Sequence, residues 1–409
     1  MIIDKGIYID NVMLNVSPRN KKSSLQFLPE CLLELSKNRN FIYKDKKLKS
    51  SYIIDLVHNT LLKYYFKKEN RFTLSAIILK DKYGHLYNYY IDYLKDCGIL
   101  ILKKNYLKGK NCRIYSLNES LLSNRIHRFD NKDKVLIKKY ISKHLQYELD
   151  RNGIIEQDVR VKMISDLYSV QIEFERSIFY LNTLKNEDID IYNRNKYSVE
   201  SINNQHIFYH FDVYGRMHTN FTILKSFIRK NCLLIDGEET CEIDIKNSQP
   251  LFLSKLIDES NTRWVKPDEF ELFSTLVRDG NYYQFLIDKL QLENKLVAKK
   301  LTYKVFFGQN RDNSKIDQMF IRLFPTIHNF IKLYKSEHKD YKVLAYDLQK
   351  AESNLVFNQI IKKIMNLNPD IKIITVHDSI IIQKKYKNFV SNIFFSEIFK
   401  HFESSLNKL

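Results

Sequence analysis

Two carboxylates occupy positions where an acid needs a reason to be. In CEIDIKNSQPLFL, residues 241 to 253, Asp244 lies between isoleucines at the end of an apolar strand pattern, and SQPLFLSKLI then reads as a helix start. The alternation of ETCEIDI puts Glu242 and Asp244 on one strand face and Cys241, Ile243 and Ile245 on the other. In ITVHDSIII, residues 374 to 382, apolar residues flank His377-Asp378-Ser379 on both sides, which predicts a β-hairpin with the polar trio at its tip. An acid in so apolar a frame is costly unless a cation or hydrogen bonds compensate it. Two such aspartates can bind two Mg²⁺ ions about 4 Å apart, the arrangement that activates a 3′ hydroxyl and stabilises a leaving pyrophosphate. Taken singly, each has a plainer reading, a helix cap for Asp244 and a polar turn for Asp378.

A complementary feature lies in ENKLVAKKLTYKVFFGQN, residues 293 to 310. Lys295, Lys299, Tyr303 and Phe307 follow one another at intervals of four and form one slowly drifting stripe on a helix, with Gly308 near its end. Two cations followed by two aromatics suit a nucleotide, with ammonium groups on the triphosphate and aromatic faces near sugar and base. The same stripe is otherwise a common amphipathic surface. A further helix, YDLQKAESNLVFNQIIKKI, residues 346 to 364, precedes the HDS hairpin and carries Gln349 near its start.

The elements that must position these residues fill the second half of the chain; the first half reads differently. SYIIDLVHNTLLKYYFKK, FTLSAIILKDKYG and LYNYYIDYLKDCG have helical spacing, the last two ending at Gly84 and Gly98, and ILILKKNYLKGKNCRIYSL alternates as two strands. Three helices and a basic hairpin resemble a winged helix. In that family the third helix can enter a major groove while the wing lies on phosphate, which would employ Lys103, Lys104, Lys108, Lys110 and Arg113. The other reading is a small helical domain with a solvated hairpin, or a winged helix used for protein contacts. Residues 130 to 190 read as long charged helices, KDKVLIKKYISKHLQYELDRNG and VRVKMISDLYSVQIEFERSIFYLNTLKNED, able to clamp a duplex or simply to form a bundle.

Composition sets the outer bounds. The 409 residues suffice for two or three domains, 44% are hydrophobic, and 66 basic against 48 acidic side chains leave a net charge of +18, spread along the chain. Nucleic acid is the usual partner of such a field, although an AT-rich genome also enriches Lys, Ile, Tyr and Phe. No apolar run approaches the roughly 18 to 20 residues that span a bilayer, and no signal pattern opens the chain, so a cytoplasmic protein without a membrane partner is expected. Cys31, Cys97, Cys112, Cys232 and Cys241 lack CxxC spacing and indicate neither zinc nor disulfides.

In order, Arg216 within GRMH, Asp244 within DIKNSQP, KLVAKKLTYKVFFG, LQKAES and VHDS resemble the successive motifs of the family A polymerases, which comprise bacterial DNA polymerase I relatives and single-subunit phage-type RNA polymerases. The resemblance covers roughly residues 205 to 400. It implies an α+β fold: a right-hand palm whose antiparallel sheet carries Asp244 and Asp378, helical fingers, and a helical, winged N-terminal half. The implied division is an N-terminal extension over 1–49, a winged-helix-like domain over 50–120, and a thumb-like helical region over 121–205. The palm follows over 206–254 and 341–409, with fingers at 255–340. Asp244 and Asp378 would be the ligands of two Mg²⁺ ions. Lys299 resembles the lysine that grips the triphosphate, and Lys295 stands where arginine is usual, keeping charge but losing the bidentate fork. Tyr303 matches the position near the nucleotide sugar and Phe307 one where most members have tyrosine. Arg216 resembles the arginine that reads the minor groove at the primer end, Gln349 a template or primer contact, and His377 a terminus-positioning residue.

The departures bear on substrate. DNA-making members carry Glu five residues after the first aspartate and read HDE in the last motif; this chain has Gln249 and HDS. HDS is similar to the RNA-making branch, whose ribose preference relies on a tyrosine hydroxyl at the place of Phe307. GRMH, LQKAES and the bulk of Gln249 beside a 2′ hydroxyl favour deoxynucleotides. The roughly 200 residues before Arg216 hold no DxE run followed by the other acidic motifs of a 3′–5′ exonuclease. The expectation is therefore a template-directed DNA polymerase without proofreading, acting on a primer-template duplex with nucleoside triphosphates, in replication of a mobile element, plasmid or phage. An RNA polymerase or primase of the same fold, and a non-catalytic winged-helix initiator, are the alternatives.

Overall fold

A computed structural model describes residues 24–37, 39–67, 70–106, 113–140, 159–184, 188–207, 209–212, 214–260, 264–309 and 315–403. The class is mixed α+β, mostly helical with several small antiparallel sheets, as the sequence predicts at this level. Among the described residues no helix is long and apolar enough to cross a membrane. The chain forms two compact units: Met1–His210 with His218–Thr240, and Phe211–Met217 with Cys241–Leu409.

In the first unit, helices Ser50–Lys67, Ala76–Tyr83 and Tyr87–Asp96 pack on a three-stranded antiparallel sheet. Its strands are Phe72–Thr73, Ile114–Leu117 and Leu100–Lys104, in that order. Ser75 caps the second helix and Gly84, at φ 77°, ends it, a left-handed conformation that glycine adopts without a Cβ penalty. Lys103, Lys104 and Arg113 are exposed around this sheet; Lys108 and Lys110 lie outside the described residues, as does Cys112. Residues 24–49 are not a separate extension in packing terms, since Phe27, Leu28 and Leu48 enter the same core as Ile53, Leu61, Tyr90 and Leu117. Strand Ser24–Pro29 pairs antiparallel with Ile126–Asn131 over six residues.

One expectation fails here. The segment read as a long helix from Val159 onward is a helix Val159–Leu167, a strand Val170–Ile172 and a second helix Phe174–Leu184. Val170-Gln171-Ile172 alternates with a β-branched residue on either side of a glutamine, and it pairs with Leu233–Ile235. Pairing with a partner some 60 residues away overrides helical spacing, and the sequence window contains no sign of it. The helical reading of 134–140 holds as far as Tyr140, and its continuation lies outside the described residues.

The second unit holds the chemistry-bearing segments. Strand Glu238–Asp244 enters it at Cys241 and lies beside strand Ser379–Gln383, which forms an antiparallel hairpin with Ile374–Val376. Helix Ser248–Glu259 follows the first strand. Helices Pro267–Arg278, Tyr282–Leu290, Lys295–Phe307, Lys315–Ile321 and Pro325–Glu337 come next, the first and last opened by a proline at N1. Their core is aromatic: Phe273 meets Tyr282 at 5.5 Å and Phe324 at 5.4 Å, both edge to face. Helix Val343–Asn354 runs on through a π-helical stretch, Leu355–Ile361, into Lys362–Leu367.

Candidate functional site

The HDS hairpin forms where the pattern predicts it. Val376 pairs with Ser379, leaving His377 and Asp378 as a two-residue turn, with His377 in the left-handed region at φ 57°. The Ser379 hydroxyl donates to Glu242 Oε1 at 2.8 Å, tying the turn to the strand that ends in Asp244. Glu242 is two residues from Asp244 and on its face, so this link draws both aspartates toward one end of neighbouring strands. Asp244 is exposed and is not the cap of the helix after it, a place taken by Asn247 in a left-handed conformation at φ 54°.

The proximity of the acids registers in their electrostatics. Burial pushes the Asp378 carboxyl up to about 7, and the charges of Glu352 and Asp244 add to the shift; its backbone hydrogen bond and the Arg216 guanidinium act against it. A carboxyl raised by its own kind is stabilised in ionised form by a divalent cation. Among the described residues no three His, Cys, Asp or Glu side chains are grouped to hold a metal ion. Two carboxylates would by their chemistry suit Mg²⁺, an ion that keeps several waters and completes its octahedron with substrate phosphates.

Glu352 is the residue the sequence reading passed over. It lies within LQKAES, is 1% exposed, and is the hub of a buried network. Its Oε1 accepts from Arg216 Nη2, and its Oε2 accepts from Ser248 Oγ at 2.5 Å and Gln249 Nε2 at 2.6 Å. Arg216 is presented from a turn in which the Asp212 carboxylate accepts the backbone N–H groups of Tyr214 and Arg216, both at 2.9 Å. Gln249 faces inward at 6% exposure, its amide nitrogen held by Glu352. Two buried atoms in this network, Gln249 Oε1 and Arg216 Nε, lack a hydrogen-bond partner among the described residues. Gln349 is one turn before Glu352 and half-buried. The available signal was an acid within LQKAES, but only its partners give it meaning.

The Lys295–Phe307 helix presents its stripe as expected. Asn294 caps it by accepting from the N–H groups of Leu296 and Val297 at 3.0 and 3.1 Å. Ala298, Leu301, Thr302, Val305 and Phe306 are buried, and the stripe borders that face, with Lys295 and Tyr303 exposed and Lys299 and Phe307 half-buried. Tyr303 and Phe307 stack at 5.4 Å and 17°, and the ammonium groups of Lys295 and Lys299 stand 5.9 and 5.7 Å from the ring of Tyr283. Tyr283 is a second residue the sequence did not flag. Burial chiefly raises the Tyr283 and Tyr303 hydroxyls above their ordinary range, and the charge of Asp378 acts on both. The stripe and the HDS turn are therefore within electrostatic reach of one another.

The far end of this helix is closed tightly. Lys335, 3% exposed, donates to the carbonyls of Val305 and Gly308 at 2.7 and 2.9 Å, and burial pulls its pKa down to about 8. A Cβ on Gly308 would lie 2.3 Å from the Lys304 carbonyl oxygen. Gly308→Ala is expected to destabilise the protein by about 1–3 kcal/mol, as overpacking against backbone does. Urea denaturation of the variant beside the parent measures it; an unchanged midpoint would refute the steric account.

Comparison with known proteins finds no matching family model and no significantly similar curated protein.

Proposed function

We propose that the second unit is a nucleotidyltransferase of the family A polymerase type, a palm with helical fingers, which extends a 3′ hydroxyl on a template without proofreading. The single observation that carries this reading is the coupling of Asp244 and Asp378, far apart in sequence and electrostatically joined in the fold, within reach of the Tyr303 side chain on a helix that also bears Lys295 and Lys299. Asp244 and Asp378 would hold Mg²⁺. When bound, the ions supply an activated hydroxyl and neutralise charge on the leaving pyrophosphate. Lys299 and Lys295 bind the triphosphate, Tyr303 and Phe307 offer stacked aromatic faces to the nucleotide, and His377 is part of the turn where the primer terminus would lie. Arg216, held by Glu352, and Gln349 are the proposed contacts to the primer-template. In the first unit, the three helices and sheet are proposed as a winged helix, with Lys103, Lys104 and Arg113 on phosphate.

The test is incorporation of labelled dNTPs or NTPs by the purified chain, with and without primer, in Mg²⁺ and in EDTA. Primer-dependent dNTP incorporation that stops in EDTA supports the DNA polymerase. Primer-independent use of NTPs moves the reading to an RNA polymerase or primase of the same fold, which the uncharged Ser379 after Asp378 would suit. No incorporation under any condition leaves a DNA-binding initiator. Within the polymerase reading, Lys299→Ala is expected to raise the nucleotide KM by about 10- to 100-fold, the loss of one charge-assisted contact, while the affinity for primer-template stays put. Steady-state kinetics at varied nucleotide checks the split, and an unchanged KM would remove Lys299 from the nucleotide site.

A further inference from the structure

A concave site lies wholly within the first unit and shares no residue with the proposed catalytic site. It is a cleft of about 440 Å³ beside the start of helix Ser50–Lys67 and the end of strand Ile126–Asn131, within the roughly 300–1,000 Å³ of small-molecule sites. Its acids are already committed. Asp133 accepts from Lys49 Nζ and Ser51 Oγ, each at 3.1 Å, and from the backbone N–H groups of Val135 and Leu136 at 3.0 and 3.1 Å. Asp130 accepts from Arg128 Nε at 3.3 Å and from Nη2 at 3.2 Å.

Its other cations are not committed. Arg39 and Lys132 line the cleft, are exposed, and make no ion pair or side-chain hydrogen bond among the described residues. Among the described residues, two positive charges therefore stand without an ion-pair partner at a concave wall whose apolar part is Ile54 and the half-buried ring of Phe129. A low-dielectric wall focuses such a field outward, toward an anion. A guanidinium fork and an ammonium together match the charge and oxygen geometry of a phosphate monoester. The cleft is larger than a phosphate needs, and the adjoining aromatic and aliphatic surface suits a sugar or base.

We infer that this cleft binds a nucleotide through its terminal phosphate, held between Arg39 and Lys132. A free mononucleotide and the 5′-phosphorylated end of a strand present the same chemistry. Binding here is independent of nucleotidyl transfer, so the inference stands or falls apart from the proposed activity.

The experiment uses the full chain and fluorescence anisotropy with a 3′-labelled thymidine trinucleotide bearing either a 5′ phosphate or a 5′ hydroxyl. The phosphorylated probe is expected to bind about tenfold more tightly or better. That preference should disappear in the Arg39→Gln, Lys132→Gln double variant, whose changed side chains are exposed and whose folding is checked by thermal melt. It should persist in Asp244→Ala. Competition by AMP at concentrations near its own binding constant identifies the free nucleotide as the ligand, and competition only by unlabelled phosphorylated trinucleotide identifies the strand end. Equal affinity for the two probes, or a preference surviving in the folded double variant, overturns the inference.

Discussion

Replacing Asp378 by asparagine is expected to stop nucleotide incorporation while leaving a protein that is folded and, in metal-free buffer near pH 8, more stable than the parent. Asparagine keeps the size of the side chain and removes the anion. Under the proposed chemistry the loss in turnover is on the order of 10³-fold, the scale for deleting one preorganised electrostatic contact. The gain in stability has the opposite origin. Asp378 titrates near 7 in the folded chain against 3.8 for a free aspartate, because burial, Glu352 and Asp244 all oppose its charge. The folded state therefore holds the proton across that window and the unfolded state does not. The contribution of Asp378 to stability is fully present below pH 3.8 and is lost as pH rises through 7. Asparagine escapes this loss, so the difference in unfolding free energy should open as pH rises from 3.8 to about 7 and should be larger, at a few kcal/mol, at pH 8 than at pH 5. Urea titrations of both proteins in EDTA at pH 5 and pH 8 measure it. Adding Mg²⁺ at pH 8 should stabilise the parent and not the variant. A variant that still incorporates nucleotides at the parental rate would end the assignment of Asp378 to the reaction, whatever its effect on stability.

Glu352→Ala should produce the largest structural defect of any single change in the second unit. The substitution leaves Arg216, Ser248 and Gln249 without the carboxylate that accepts from all three, and it leaves a largely buried guanidinium uncompensated. Breaking a buried pair from one side costs about 3–5 kcal/mol, because the remaining charge keeps its desolvation penalty. Glu352→Gln keeps the shape but places an amide NH₂ against donors, and it should cost less. The double variant with Arg216→Met removes both charges, and a stability above that of Glu352→Ala alone is expected. The cycle isolates the Arg216–Glu352 coupling. Additive losses across the cycle would show that the two side chains do not stabilise one another.

Local patterns carried the sequence reading where they were sufficient. The alternation around Asp244 and the four-residue spacing from Lys295 to Phe307 appear as predicted, and the hairpin forms at its predicted place with two of the polar trio, His377 and Asp378, in the turn and Ser379 in the strand, since each is set by backbone periodicity within a few residues. Where a partner comes from elsewhere in the chain, periodicity is silent. Val170–Ile172 becomes a strand only because Leu233–Ile235 offers an edge, and residues 24–49 enter a core that lies mostly in later sequence. Glu352 gives the same lesson at the site: its partners Arg216 and Ser248 are 136 and 104 residues away.

By itself, the sequence determined which face of strand, turn or helix each of these side chains would occupy. Tertiary structure decided that Asp378 is pressed on by Asp244 and Glu352, that Gln249 turns inward, and that Tyr283 meets both lysines. The reason is physical. Facing follows from the repeat of a local backbone, whereas burial, charge coupling and hydrogen-bond partners depend on which distant segments share a core.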